Sequence, residues 1–319
     1  MDLERAGWRC PGIMVTQWRR LSQRFGKPDT YLMYETKKIR PWVLVGEALA
    51  AADGGDLNLA RTRLSDAGSN VAAAFRRPQN PADVLLDEEW IAENDYADNV
   101  FTLWLRLHGP DKALDVLRRS TVDEGTRLWR LSAIIEEQIA LAQHDAAEDR
   151  IKELVDSMNA LKGRVKQDSK TPVPEKPEYF EIRRKEEDKG SLVPATLACC
   201  RVFARIGDGE EAIAAINLLR DGTGRLPSGV FLKLLPVGLA SLAADDRATA
   251  VQILKLWDSE GKSEYPLLRI ELASASRDNA MVDALIDSTP PGSAERVQAI
   301  LAAVEGLEAV EKTTQRPSP

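Results

Sequence analysis

The chain has 319 residues, of which 44% are hydrophobic and 29% charged, enough for two ordinary domains or one long repeat array with a sizeable core. Its formal net charge of −7 disfavours a nucleic-acid partner, because binding one requires many phosphates to be neutralised. No apolar run approaches the roughly 18 residues of a membrane span, and the beginning lacks the apolar core of a signal peptide. Aromatic residues make up only 6%, and β-branched alternation is nearly absent, so helices are favoured over strands.

The cysteines and histidines indicate no metal or cofactor site. Cys10, Cys199 and Cys200 form no CxxC pair and no even disulfide framework, which favours a reducing compartment and predicts a cytoplasmic location. Cys199 and Cys200 are neighbours on one predicted helix and are expected to be small core residues. His108 and His144 fall at predicted turns between helices without zinc-ligand spacing, so turn caps are the expected role.

The first segment, 1–40, is basic, with nine Lys or Arg against four Asp or Glu. Within it 18–25, WRRLSQRF, places Trp18, Leu21 and Phe25 on one face of a short basic amphipathic helix. The favoured interpretation is a cap over the apolar edge of the first repeat, because repeat arrays need capping elements. Contact with a membrane surface or an acidic partner is the alternative.

Residues 41–161 are predicted to form an N-terminal set of helical repeats, with Leu128, Leu131 and Ile135 in helical register on one of its helices. The next segment, 162–191, contains three prolines and dense charge of both signs. Such a composition buries little apolar surface, so the sequence predicts a long exposed loop or linker there.

A second set of helical repeats is predicted over 192–310, with a disordered tail at 311–319. In LACCRVFARIGDGEEAIAAINLLR, 197–220, two apolar stripes at three- and four-residue spacing flank Gly207 and Asp208. Gly207 suits a left-handed helix end, and Asp208 can cap the amides of the next helix. The last predicted helix, about 294–310, is expected to pack onto the array through five apolar residues: Val297, Ile300, Leu301, Val304 and Leu307.

The turn with Gly207 and Asp208, followed by Ala212 and Ile216, resembles the tetratricopeptide repeat. A second match has Gly55, Asp56, Ala60 and Leu64, and the weaker copies have Ala113 and Leu117, Ala147 and Ile151, Ala250 and Leu254, and Ala280 and Ala284. Successive anchor alanines are 53, 34, 65, 38 and 30 residues apart, so only some follow the period of about 34 that marks the family. The resemblance implies an all-α fold, an α-solenoid of about five or six antiparallel helix pairs; an irregular helical bundle is the alternative.

The resemblance also implies a function, an interaction scaffold that binds a partner peptide or helix on a concave surface lined by the first helix of each pair. In the best copy Arg201 and Arg205 face that surface, and the weaker copies add Arg269 and Arg106. Arginines one turn apart suit a carboxylate or an acidic peptide. The competing interpretation is that they are surface residues paired with nearby acids such as Glu210.

Two other classes of function stay open. One is an all-helical enzyme or the regulatory domain of an enzyme system, although no two titratable groups stand at a spacing that assigns an acid and a base. The other, RNA binding by helical repeats, is disfavoured by the acidic balance of the chain.

Overall fold

The computed structural model describes residues 44–45, 47–49, 51–52, 55–67, 98, 100–170, 179–261 and 265–314. These residues are all-α, without a strand among them, which confirms the predicted fold class. In the same ranges no helix combines the length and the apolar character needed to cross a membrane. The basic segment 1–40, including 18–25, lies outside the described residues. Of the tail predicted to be disordered, 311–319, residues 311–314 are helical instead and 315–319 lie outside the described residues. The chain divides into two compact units, Met1–Val122 and Asp123–Pro319.

In the first unit the described helices are α1 (Leu57–Ala67), α2 (100–108) and α3 (Pro110–Arg119). The Asp56 carboxylate accepts a hydrogen bond from the Leu59 amide at 3.0 Å and so caps α1. A small apolar cluster joins α1 to α2 and to the helical residues before α1, with the members Ala48, Ala60, Leu64, Leu103 and Leu107. Pro110 is the first residue of α3. An N–H at this position would have no hydrogen-bond partner within the helix, so a proline, which lacks one, fits here.

The second unit is a run of helices in which each helix contacts a neighbour in the chain, and alternate helices make the most extensive contacts. In order they are α4 (Glu124–Ala140), α5 (His144–Lys170), α6 (Tyr179–Arg205), α7 (Gly209–Asn217), α8 (Ser228–Ala243), α9 (Arg247–Glu260), α10 (Pro266–Ala275), α11 (Asn279–Asp287) and α12 (Ala294–Thr314). The pairs are α4 with α5, α6 with α7, α8 with α9 and α10 with α11. The first helices of successive pairs also pack together, α4 on α6, α6 on α8 and α8 on α10, and α12 packs on α8, α10 and α11.

The bend between α6 and α7 has the geometry that the sequence predicts. Gly207 has φ 84°, its N–H donates to the Ala204 carbonyl at 3.2 Å, and the Asp208 N–H donates to the Phe203 carbonyl at 2.8 Å. The Asp208 carboxylate then accepts from the Glu211 N–H at 3.3 Å. The helix therefore ends through a left-handed glycine, and the next helix begins at an aspartate cap.

The same bend recurs at four other turns. In each, a residue with positive φ is followed by a residue whose N–H donates to a carbonyl five positions earlier at 2.8 to 2.9 Å. The four turns have these residue pairs, with the φ of the first residue in brackets: Gly55 and Asp56 (φ 82°), Ala142 and Gln143 (φ 55°), Asp245 and Asp246 (φ 60°), and Arg277 and Asp278 (φ 57°). Three of these first residues are not glycine, so the bend forms without glycine, and the backbone hydrogen bond five positions back is what all five turns share.

Four residues after each bend, a buried residue opens the next helix. Ala60, Ala147, Ala212 and Ala250 occupy this position, as predicted, and are at most 3% exposed. After the last bend the position belongs to Val282, while Ala280 and Ala284 are exposed. The predicted anchors there are wrong, because small residues are frequent in these helices and satisfy a loose pattern in more than one frame.

The predicted linker at 162–191 differs from the structure. Residues 162–170 are the end of α5, 179–191 are the start of α6, and only 171–178 lie outside the described residues. Lys, Arg and Glu are good helix formers, so a charged stretch need not be a loop. Arg164 forms a forked ion pair with Asp188 at 3.0 and 3.2 Å, which ties the two helices together and raises the pKa of Arg164. The division of the chain falls at Val122, not in this segment.

The closing helix α12 packs through a different face from the one predicted. Val297, Ile300, Leu301, Val304 and Leu307 are 45 to 55% exposed. The buried face consists of small residues instead: Ala299, Ala302 and Gly306. The backbone of α10 comes so close that a Cβ at position 306 would lie 2.1 Å from the Glu271 carbonyl oxygen. Large side chains do not fit at such an approach, so the apolar stripe faces outward.

Candidate partner-binding surface

Three successive first helices contribute to one group of side chains, Trp129 and Glu136 from α4, Arg201 from α6 and Lys233 from α8. We call these four residues the Trp129 cluster. The Arg201 guanidinium carbon lies 5.1 Å from the centre of the Trp129 ring, and the Lys233 Nζ lies 4.2 Å from it. Both distances are within the roughly 6 Å at which a cation is attracted to an indole face.

Arg201 is held by a carboxylate that is far away in sequence. Its Nε donates to one oxygen of Glu136 at 2.8 Å, and a second guanidinium N–H donates to the other oxygen. The two side chains are only 18% and 19% exposed, so the pair is largely shielded from water. Glu136 and Trp129 are seven residues apart, two helical turns, which places both on the face of α4 that Arg201 contacts.

Arg205, one turn after Arg201, is directed to a different neighbour. Its guanidinium donates to the Ala243 carbonyl, the last residue of α8, at 3.2 Å. A cation is favourable at this position because the unpaired carbonyls at a helix C-terminus carry partial negative charge. Neither arginine is paired with Glu210, the acid considered from sequence; their partners come from the neighbouring first helices.

The other two predicted site residues do not join the Trp129 cluster. Arg269 is 5% exposed on α10 and is ion-paired with Asp258 of α9, while burial lowers the pKa of its guanidinium. It is therefore a structural residue between two helices and is not accessible to a partner. Arg106 lies half-buried on α2, in the first unit.

The cysteines of α6 are core residues, as predicted. Cys199 and Cys200 are buried and unpaired, and burial raises the pKa of Cys199 to about 12 and that of Cys200 still further. Both thiols are neutral at physiological pH and therefore weak nucleophiles. Within the described ranges, no group of three or more His, Cys, Asp or Glu side chains is arranged to hold a metal ion.

The two histidines lie at the ends of helices. The His108 ring at the end of α2 lies 3.9 Å from that of Trp104, and burial, Lys112 and Arg61 lower its pKa, in that order. His144 is the first residue of α5. Both residues therefore lie in the end turns of helices, and their predicted role as turn caps stays a prediction.

Comparisons of the chain with protein-family models, with curated proteins and with solved structures find no match. What the Trp129 cluster can do follows from its own charges. Arg201 and Lys233 both lie against the Trp129 ring, and Arg201 is also ion-paired with Glu136. Guanidinium and ammonium groups are the side-chain groups that form charge-assisted hydrogen bonds with carboxylates. The sequence could indicate Arg201, but Glu136 and Lys233 become its neighbours only through the packing of three helices.

Proposed function

We propose that the protein is a non-catalytic scaffold that binds an acidic segment of a partner protein on the surface formed by its first helices. In this proposal the helix pairs of the second unit stack as a solenoid resembling the tetratricopeptide repeats. The packing of α4 on α6, α6 on α8 and α8 on α10, and the recurrence of one bend, support it.

The Trp129 cluster carries this proposal, because it is built from three successive first helices. Two cations lie within 5.1 Å of the centre of one indole ring, and their mutual repulsion opposes the folded arrangement. Glu136 pairs with Arg201 and so reduces that repulsion. In this proposal an acidic segment of the partner places a carboxylate beside the two cations, where low exposure strengthens charge-assisted hydrogen bonds.

The proposed location is the cytoplasm. Cys199 and Cys200 are adjacent, buried and unpaired, which suits a compartment in which thiols stay reduced.

Lys233 is the best residue at which to test the binding surface. Replacing Arg201 would leave Glu136 largely buried without its ion-pair partner, so a loss of binding could not be separated from a loss of stability. Lys233→Glu reverses one charge of the Trp129 cluster and leaves the Arg201 to Glu136 pair in place. Lys255→Glu makes the same change at an exposed position of α9, a second helix, and is the matched control.

The probe is a phage-displayed library of random peptides selected on the folded full-length protein. We expect acidic peptides to be enriched, and their affinity in a fluorescence polarisation titration to fall by roughly tenfold or more in Lys233→Glu. Lys255→Glu should bind like the unaltered protein, and raising the salt concentration should weaken all binding. Enrichment of peptides without acidic residues, or equal binding by the two variants at unchanged melting temperature, would remove the Trp129 cluster from the binding surface.

A further inference from the structure

The carboxylate that pairs with Arg201 belongs to the protein itself. Glu136 accepts hydrogen bonds from two N–H groups of the guanidinium, one of them the Nε–H at 2.8 Å, and each bond goes to a separate carboxylate oxygen. This forked arrangement is also the one by which an arginine recognises a carboxylate of another molecule. Glu136 therefore fills, from within the chain, the position that an acidic side chain of a partner would take at Arg201.

A second carboxylate at Arg201 would come close to Glu136. The side chains of Arg201 and Glu136 are 18% and 19% exposed, so part of each is in contact with solvent. A carboxylate that binds the same guanidinium lies within a few ångströms of the first one, and like charges at such a separation repel strongly where water is largely excluded. The carboxylate of Glu136 and that of an incoming acidic side chain are therefore competitors.

Arg201 does not depend on Glu136 alone for its position. Its guanidinium carbon lies 5.1 Å from the centre of the Trp129 ring, a distance at which a cation is attracted to an aromatic face. The ring therefore keeps the guanidinium at this surface when the carboxylate of Glu136 moves away. An Arg201 released by Glu136 stays in place for a partner.

We propose that Glu136 is an internal competitor, which occupies Arg201 in the free protein and is displaced by the acidic segment of a partner. This inference rests on the proposed function and adds a selection to it. Because Glu136 is tethered beside Arg201, its effective concentration there is high, and an isolated carboxylate in solution does not displace it. The partner is therefore a segment with several adjacent Asp or Glu residues, which contacts Lys233 as well as Arg201.

The test compares the binding of a fluorescein-labelled hexaglutamate peptide by the full-length protein and its variants, in fluorescence polarisation titrations. Glu136→Gln removes the competing charge, keeps the size of the side chain and leaves an oxygen that can accept from Arg201. We expect this variant to bind the peptide roughly tenfold more tightly than the unaltered protein. Glu210→Gln makes the same change at an exposed position of α7 and should raise the affinity less than about twofold.

The melting temperature separates competition from a structural role. Glu136→Gln should melt at a lower temperature, because Arg201 loses its ion-pair partner. A lower melting temperature with unchanged affinity would show that Glu136 is only structural and would overturn the proposal. Weaker binding by Glu136→Gln would also overturn it, since Glu136 would then hold Arg201 in place for the partner.

A second measurement covers the case in which Glu136→Gln does not fold. In the unaltered protein, saturating hexaglutamate should shift the NMR resonances of the Arg201 Nε–H and of the Glu136 carboxyl carbon, because the two groups separate. Unchanged resonances at saturation would overturn the proposal.

The failure of this inference can be told from the failure of the proposed function. Hexaglutamate binding that Lys233→Glu weakens and Glu136→Gln leaves unchanged would overturn the competition and leave the acidic-segment surface standing. Absence of binding by both the unaltered protein and Glu136→Gln would overturn the two proposals together. Binding by Glu136→Gln alone would support both.

Discussion

The helices α6 and α12 both carry apolar residues at helical spacing, and they use them in opposite ways. In α6 the run from Leu197 to Cys200 is at most 1% exposed, because α4, α5, α7 and α8 all pack on this helix. In α12 the large apolar residues point outward, and Ala299, Ala302 and Gly306 make the contact. An apolar stripe therefore predicts the buried face of a helix only where neighbours surround that helix.

The close approach of α10 determines which face of α12 is buried. The Ser274 hydroxyl of α10 donates to the Ala303 carbonyl of α12 at 2.5 Å, and the Glu271 carbonyl comes close to Gly306. Such short backbone separations leave room only for hydrogen or methyl side chains. Close packing there supplies dispersion contacts that a larger side chain would lose by forcing the helices apart.

The largest difference between α6 and α12 should appear when one leucine of each helix is replaced by alanine. Leu197→Ala should lower the free energy of unfolding by about 2–5 kcal/mol, because it empties a fully buried position. Leu301→Ala should change it by no more than about 0.5 kcal/mol, because Leu301 is 53% exposed. Urea unfolding of the two variants measures both changes. Equal losses would mean that the α12 stripe is part of the folded core.

A smaller effect should come from the packing face of α12. Gly306→Ala places a Cβ against the Glu271 carbonyl and should destabilise the protein by about 1–3 kcal/mol. Gly163→Ala is the matched control on α5, since a Cβ there has nothing within 4 Å. Replacing an exposed helical glycine should stabilise the protein by about 0.5–1 kcal/mol. Urea unfolding measures the predicted loss of stability in Gly306→Ala and the predicted gain in Gly163→Ala. A gain of stability in Gly306→Ala would contradict the close approach of α10.

The smallest effect concerns helix capping, which occurs both after α6 and at the start of α12. Asp208 accepts from the Glu211 amide after α6, and Ser293 accepts from the Arg296 amide at the start of α12. Either residue changed to Ala should lower stability by about 1 kcal/mol, because capping satisfies a local amide whatever packs on the helix. Asp283→Ala, exposed on α11, should be close to neutral. If replacing one capping residue lowers stability much more than replacing the other, the effect of capping depends on what packs on the helix.

Features fixed by a few adjacent residues could be predicted from the sequence. The helical class, the left-handed Gly207, the Asp208 cap and the buried cysteines of α6 all follow from local chemistry. Features decided by distant neighbours could not be. The ion pair of Arg201 joins residues 65 positions apart, and the orientation of α12 depends on the backbone of α10. The helical residues in 162–191 were missed because their charge pattern suits an exposed loop and an exposed helix equally.

The shared bend has a consequence for how such a chain can change length. A two-helix segment, such as α5 with α6 between Gln143 and Asp208 or α7 with α8 between Asp208 and Asp246, begins and ends at this bend. Removing or copying such a segment would therefore rejoin the helices across a bend of the same geometry. Growth or loss of whole pairs by gene duplication or deletion thus requires no new turn, and the limiting step is matching the side chains of the two newly adjacent first helices.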